Sequence, residues 1–145
     1  MHKVAPEIEA AIDIPLLHIA DATARRLQAG GIQRVGLLGT RFTMEQDFYK
    51  GRLQDQFGLT VLVPGEAQRE RVHRIIYDEL CLGEIRASSR VEYLAIIAEL
   101  AEAGAQAVIL GCTEIALLVG DAEAAVPLYD TTAIHAEAAV SLALA

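Results

Sequence analysis

The chain has 145 residues, 53% hydrophobic and 22% charged, with a net charge of −8. That suffices for one domain, or one domain with pieces of another, and is too apolar for disorder. The acidity argues against a nucleic-acid or anionic-membrane surface, although a local pocket can oppose the global sign.

Two cysteines, Cys81 and Cys112, form no disulfide framework, so a reduced cytoplasmic protein is the expectation. The opening stretch, MHKVAPEIEAAIDIP, lacks the apolar core of a secretory signal. No uncharged apolar run is long enough to span a bilayer.

In chain order, Pro6 to Ile12 reads as a short helix with proline in its first turn. Leu16 to Ile19 is a short apolar run, read as a strand. Asp21 to Ala29 is an Ala-rich helix stopped by Gly30-Gly31. Arg34 to Gly39 is apolar on both faces, as a central parallel strand must be. Thr43 and Gln46 have capping-box spacing, so a helix is expected to start there, with Tyr49, Leu53 and Phe57 on one face. Leu59 to Val63 is the second parallel strand.

Glu66 to Leu80 is a helix with Val72, Ile75, Ile76 and Leu80 as its apolar stripe. Its basic cluster, Arg69, Arg71, His73 and Arg74, alternates with acids and reads as a solvated face. Ser89 to Ala103 is a helix expected to turn Val91, Leu94, Ala95 and Ala98 inward. Ala107 to Gly111 is a third strand, Thr113 to Leu118 a short helix, and Val126 to Tyr129 a fourth strand. Asp130 to Ala145 closes the chain as a helix apolar almost all round, which calls for burial on more than one side. This alternation predicts an α/β doubly wound parallel sheet.

In such sheets ligands bind beyond the C-terminal strand ends. Two loops there carry small and hydroxyl residues, Gly39-Thr40-Arg41-Phe42-Thr43 and Gly111-Cys112-Thr113-Glu114. Free N–H groups at a helix start favour an anion such as a carboxylate. Cys112, expected just before a helix, should have its thiolate stabilised, the form that takes a proton or attacks carbon. The competing reading is that it is only a small buried hydrophobe. Cys81, beside Leu80 and Leu82 late in a helix, reads as structural. His18 is placed in a strand and His73 on the surface. His135, near the start of the last helix, lies on the site side and stays open. No metal, nucleotide or nucleophile-elbow signature occurs.

Gly111-Cys112-Thr113-Glu114-Ile115 resembles the second catalytic-cysteine motif of the aspartate/glutamate racemases. Met1-His2-Lys3 is similar to the end of that family's first motif, and Gly36 to Thr40 with Thr43 to its substrate-carboxylate loop. Asp130-Thr131-Thr132 before His135-Ala136 also matches. The resemblance implies racemisation of an amino acid with no cofactor, by two thiol-bearing residues on opposite faces of the α-carbon. It implies Cys112 as one acid/base, with Thr40, Thr43, Thr113, Glu114 and His2 as substrate-binding or supporting residues. Glu114 is expected to support the site rather than to carry the proton. A small-molecule substrate and a homo-oligomer are implied, with neither nucleic acid nor membrane as partner.

The family chain is about twice this length, with the site between two similar halves. The opposing acid/base and the N-terminal strands are therefore expected to be missing here. Residues 1–31 would be a remnant of the N-terminal domain, 32–129 the C-terminal domain, and 130–145 a helix that packs on the missing half. Several dicarboxylate-preferring members carry lysine where Leu82 stands, so a broader substrate range is expected. The alternatives are the same fold running another reaction (hydantoin racemase, maleate isomerase or arylmalonate decarboxylase) or an inactive assembly module.

Overall fold

The computed structural model describes residues 2–145, so the reading of Met1 lies outside the described residues. The helices are α1 (Ala5–Ala11), α2 (Ile19–Ala29), α3 (Arg41–Glu45), α4 (Asp47–Phe57), α5 (Glu66–Asp78), α6 (Ala87–Glu102) and α7 (Thr131–Ala143). The strands are β1 (Arg34–Leu38), β2 (Thr60–Leu62), β3 (Ala107–Leu110) and β4 (Leu128–Asp130). They form one parallel sheet in the order β2-β1-β3-β4.

Strand alternation explains why β3, and β1 beyond the exposed Arg34 at its start, must be apolar. Val35, Leu37, Ala107 and Ile109 face α2 and α4, in a cluster with Ala20, Ala24, Leu27, Tyr49 and Leu53. Leu38, Val108 and Leu110 face the other layer, with Val72, Ile75, Ile76, Tyr93, Ile97 and Leu100 of α5 and α6. Each strand is thus buried on both sides, the pattern of a doubly wound sheet. Gly36 accommodates this packing, since a methyl there would meet Leu100 Cδ1 and Val108 Cγ2 at 3.0 Å.

Several local expectations change. Leu16 to Ile19 is not a strand: residues 16–18 are irregular and Ile19 opens α2. His18 caps that helix, its Nδ1 accepting from the Ala20 N–H at 3.0 Å. The helix expected at Thr43 starts earlier. Thr40 is the cap, accepting from the Thr43 N–H at 3.4 Å, and the short α3 breaks at Gln46 before α4 begins. Helix α6 is rotated from its expected stripe. Val91 is 67% exposed, whereas Ser89, Tyr93, Ile96, Ile97 and Leu100 point inward. Strand β4 lies further along than Val126 to Tyr129. Helix α5 ends at Asp78, and a 3-10 turn, Leu80–Leu82, follows.

Helix α2 belongs to the core that covers β1. An Arg52 fork on the Asp21 carboxylate, at 2.5 and 2.9 Å, ties α4 to α2, and Glu9 of α1 joins it at 3.3 Å. Helix α7 lies on α2 and buries Thr131 and Ile134. Its far end leaves Val140, Leu142 and Leu144 exposed.

His18 is expected to make the stability of the fold depend on pH. It is buried, and the neighbouring Arg52 cation adds to burial in pushing its pKa down to about 4, against Asp21 and Glu9 and with His2 nearby. The unfolded chain therefore binds the proton more tightly than the folded one. Stability is present above pH 6.5 and is lost as pH falls towards 4. Between pH 7 and pH 5 the loss is about 2 kcal/mol. Urea denaturation at both pH values measures it. His18→Asn, which keeps a capping side chain, should flatten the difference, and an unchanged pH slope would assign the sensitivity elsewhere.

Candidate functional site

Strands β1 and β3 end side by side, and the loops after them meet. The Gly111 N–H donates to the Leu38 carbonyl at 2.7 Å, extending the pairing one residue beyond the sheet. Gly39 and Gly111 leave room for Thr43 between them. A methyl on Gly39 would lie 3.2 Å from the Thr43 side chain, and one on Gly111 would lie 3.4 Å from Thr43 Cγ2. Thr40 Oγ1 and Thr43 Oγ1 are 3.3 Å apart. The structure therefore brings Thr40, Thr43 and the Cys112 loop to one place at the C-terminal edge of the sheet.

Cys112 is half-buried against the α5–α6 cluster, which includes Tyr93, Ile115 and Leu118. Its thiol donates to Glu114 Oε2 at 2.8 Å. Burial, and then the Glu114 carboxylate, push its pKa up to about 12. Glu114 itself is held below the usual carboxylate range by hydrogen bonds from Cys112 and Thr113. Burial and the carboxylate both act against the thiolate expected from the sequence. No α-helix follows Cys112; only a 3-10 turn, Ile115–Leu117, does. So short a turn offers little dipole to set against the loss of water.

Thr113 is exposed beside the site. His2 sits in a different cluster, in the 3-10 turn His2–Val4. Its ring lies 5.4 Å from His18, 6.4 Å from Phe48 and 6.2 Å from Tyr49. Burial lowers its pKa, and positive charge including that of His135 lowers it further. One ring nitrogen of His135, Nε2, is 2.9 Å from the Leu17 carbonyl, pinning α7 to the segment before α2. His73 accepts the Arg41 N–H at 3.1 Å, and Arg69, Arg71 and Arg74 each pair with a glutamate. The basic cluster is an ion-paired helix face, as its charge alternation suggested.

Three supporting contacts were not read from the sequence. Arg90 Nε donates to the Leu118 carbonyl at 2.8 Å, clamping the segment after Cys112 to α6. Thr131 Oγ1 donates to the Leu110 carbonyl at 2.9 Å, fixing α7 to the end of β3. Asp130 caps α7, accepting from the Thr132 and Ala133 N–H groups. Of these, only the Asp130 cap had a local signal, an aspartate before a helical run.

Cys81 departs most from expectation. It is exposed, on the turn after α5, rather than packed within a helix. Thiolate is the alkylating form, so iodoacetamide should label Cys81 well before Cys112 in the folded chain. Peptide mapping over a time course measures the order. Faster labelling of Cys112 would show that its thiol ionises far more readily than its surroundings indicate.

Among the described residues, no group of three or more His, Cys, Asp or Glu side chains could hold a metal ion. No helix among the described residues is long and apolar enough to cross a membrane.

Comparison with known proteins places this arrangement. A protein from Yersinia pestis assigned as an Asp/Glu racemase is 56% identical, with a TM-score of 0.97 over 100% of this chain and 63% of its own. An aspartate racemase homologue from Pyrococcus horikoshii is 32% identical, with a TM-score of 0.90 over 99% of this chain and 63% of its own. The aspartate racemase of Picrophilus torridus shares the fold at 21% identity, with a TM-score of 0.65 over 86% of this chain and 51% of its own. The chain therefore spans less than two thirds of the length of these structures. The family model for Asp/Glu/hydantoin racemases matches residues 1–139. With the α/β fold and the strand-end cysteine loop, that match shows that the chain belongs to the Asp/Glu/hydantoin racemase family.

Proposed function

We propose that the chain carries one half of an amino-acid racemase site, with Cys112 as one of two acid/base groups at the substrate α-carbon. The observation that supports this most directly is the Cys112 thiol, half-buried at the strand end and hydrogen-bonded to Glu114. A thiol whose pKa is held high rests protonated, which suits the group that delivers a proton. Glu114 fixes the direction of the S–H bond and offers the nearest acceptor. When Cys112 is to take a proton instead, the bound substrate's ammonium group would supply the positive charge that a thiolate needs. Thr40, Thr43 and Thr113 would receive the α-carboxylate through hydroxyl and backbone N–H groups. The second acid/base would come from chain outside the described residues. His2 would support that side of the site from its cluster with His18.

The side chain of the substrate is proposed to be neutral. The turn after α5, whose Leu82 stands where dicarboxylate-preferring family members carry lysine, presents Leu82 and Ile85, both exposed, and the arginines that follow are already engaged: Arg86 with Glu79 and Glu84, Arg90 with the Leu118 carbonyl. A side-chain carboxylate would meet no free cation there and would lose its water without compensation.

Incubation in deuterated water with single enantiomers tests both points. Deuterium should enter the α-position with loss of optical purity, faster for a neutral amino acid than for aspartate. Inversion without α-deuteration would refute the proton-transfer reading. A preference for aspartate would refute only the neutral-side-chain reading.

A further inference from the structure

Helix α3, which carries Thr43 and is capped by Thr40, spans only Arg41–Glu45. A helix so short cannot hold its own shape, because fixing its first turn costs more than its few hydrogen bonds return. Its geometry is therefore set by what it packs against. Met44, near its far end, is fully buried in the cluster that holds Val72, Ile75 and Ile76 of α5. Along its outer side Arg41 reaches Glu70 at 3.2 Å and Arg69 reaches Glu45 at 3.1 Å. Ion pairs open to water, as these are, contribute little.

At the Thr40 end a side chain of α5 takes hold of the loop backbone. The Arg41 N–H donates to His73 Nδ1 at 3.1 Å. A backbone N–H can only donate, so Nδ1 carries the lone pair and the neutral ring bears its proton on Nε2. The ring is itself steadied. Tyr77, one turn further along α5, lies 4.7 Å from it, and Phe42 meets it edge-on at 6.0 Å. Phe42 follows Arg41 directly, so His73 holds this loop both by its backbone and by a side chain.

That grip passes to the site. Arg41 follows Thr40, whose Oγ1 accepts the Thr43 N–H at 3.4 Å and lies 3.3 Å from Thr43 Oγ1. Thr43 in turn occupies the space left by Gly39 and Gly111. With the Arg41 N–H released to water, the turn could open at Thr40 and the two hydroxyls would lose their spacing.

We propose that His73 is a positioning residue for substrate binding: by accepting the Arg41 N–H it fixes the spacing of the Thr40 and Thr43 hydroxyls that receive the substrate α-carboxylate. This role rests on the reading of those threonines as the carboxylate site. His73 touches no substrate and transfers no proton. A carboxylate is held alike in the ground state and the transition state, so loss of the contact should fall on KM and spare kcat.

NMR of this chain and kinetics of a longer protein that also holds the second acid/base test the role. In the wild type the Arg41 amide should be protected from exchange, and the His73 ring should carry its proton on Nε2. His73→Leu should remove that protection and loosen the Thr43 amide. It should raise KM for a neutral amino acid by about 3- to 10-fold, the worth of one such bond, with kcat nearly unchanged. His73→Asn, whose amide oxygen offers an acceptor at similar reach, should restore both. Unchanged amide exchange or unchanged KM in His73→Leu, or a fall in kcat at constant KM, would overturn the proposal. So would a wild-type ring protonated on Nδ1, a result that stands even if a variant folds poorly. Absence of turnover in the wild type would refute the racemase reading alone, and amide exchange would still decide whether His73 fixes the loop.

Discussion

Replacing Cys112 with serine is expected to lower racemisation by on the order of 10²- to 10⁴-fold, the usual contribution of a positioned acid or base. The effect should appear in a longer protein that contains this chain together with the second acid/base, and mainly in kcat. The substrate carboxylate is proposed to rest on Thr40, Thr43 and Thr113, which the substitution leaves in place. A serine hydroxyl would keep the hydrogen bond to Glu114 but is a far weaker acid than even a buried thiol. Exchange of the α-proton should fall together with inversion, because both use the same transfer. A chiral assay and α-deuteration measured on the same sample test this. Full activity in Cys112→Ser would remove the residue from the reaction.

The second large effect is expected from a single methyl. In Gly111→Ala the new carbon would sit 2.8 Å from the Leu38 carbonyl oxygen and 3.2 Å from Leu37 Cδ1. The first of these neighbours is backbone, and the same oxygen accepts the Gly111 N–H at 2.7 Å. Neither side can yield without separating β1 from β3 where the two loops meet. The fold should lose about 1–3 kcal/mol, typical of overpacking. Activity should fall further than stability, since an ångström of misplacement at a reacting group costs about 10²-fold. Gly120→Ala is the control: nothing lies within 4 Å of its added methyl. Urea denaturation and rate measurements on both variants check the contrast. Equal behaviour of the two would show that close approach of the loops is not what holds Cys112 in place.

Particular residues show what the sequence could and could not reveal. Strands β1 and β3 were legible because a strand buried on both faces leaves a run of apolar residues bounded by turn formers. The meeting of the Thr43 and Cys112 loops followed from parallel topology, which puts all strand ends on one side. Leu16 to Ile19 misled because four apolar residues suit a strand or a helix entry equally, and a histidine cap is an uncommon signal. The inward face of α6 was misjudged because Ser89 is buried: its hydroxyl donates to the Glu79 carboxylate, a pairing between distant positions that no local period encodes. The surroundings of Cys112 were not legible for a related reason. Its raised pKa comes from burial and the geometry of Glu114, whereas the sequence offered only an expected helix start.

The sheet order also bears on how the chain reaches this structure. Strand β1 is central, yet one of its two partners, β3, pairs Ala107 with Val35 across roughly seventy positions, a loop whose closure entropy is met before the contact gives anything back. Only β2 lies close in sequence, and it is short, pairing Arg34 to Gly36 with Thr60 to Leu62. A chain emerging from the ribosome would therefore hold β1 half-partnered until residues beyond Leu110 are free. Acquisition of structure should then be late and concerted rather than stepwise from the N-terminus, with a folding rate set by the long-range β1–β3 closure.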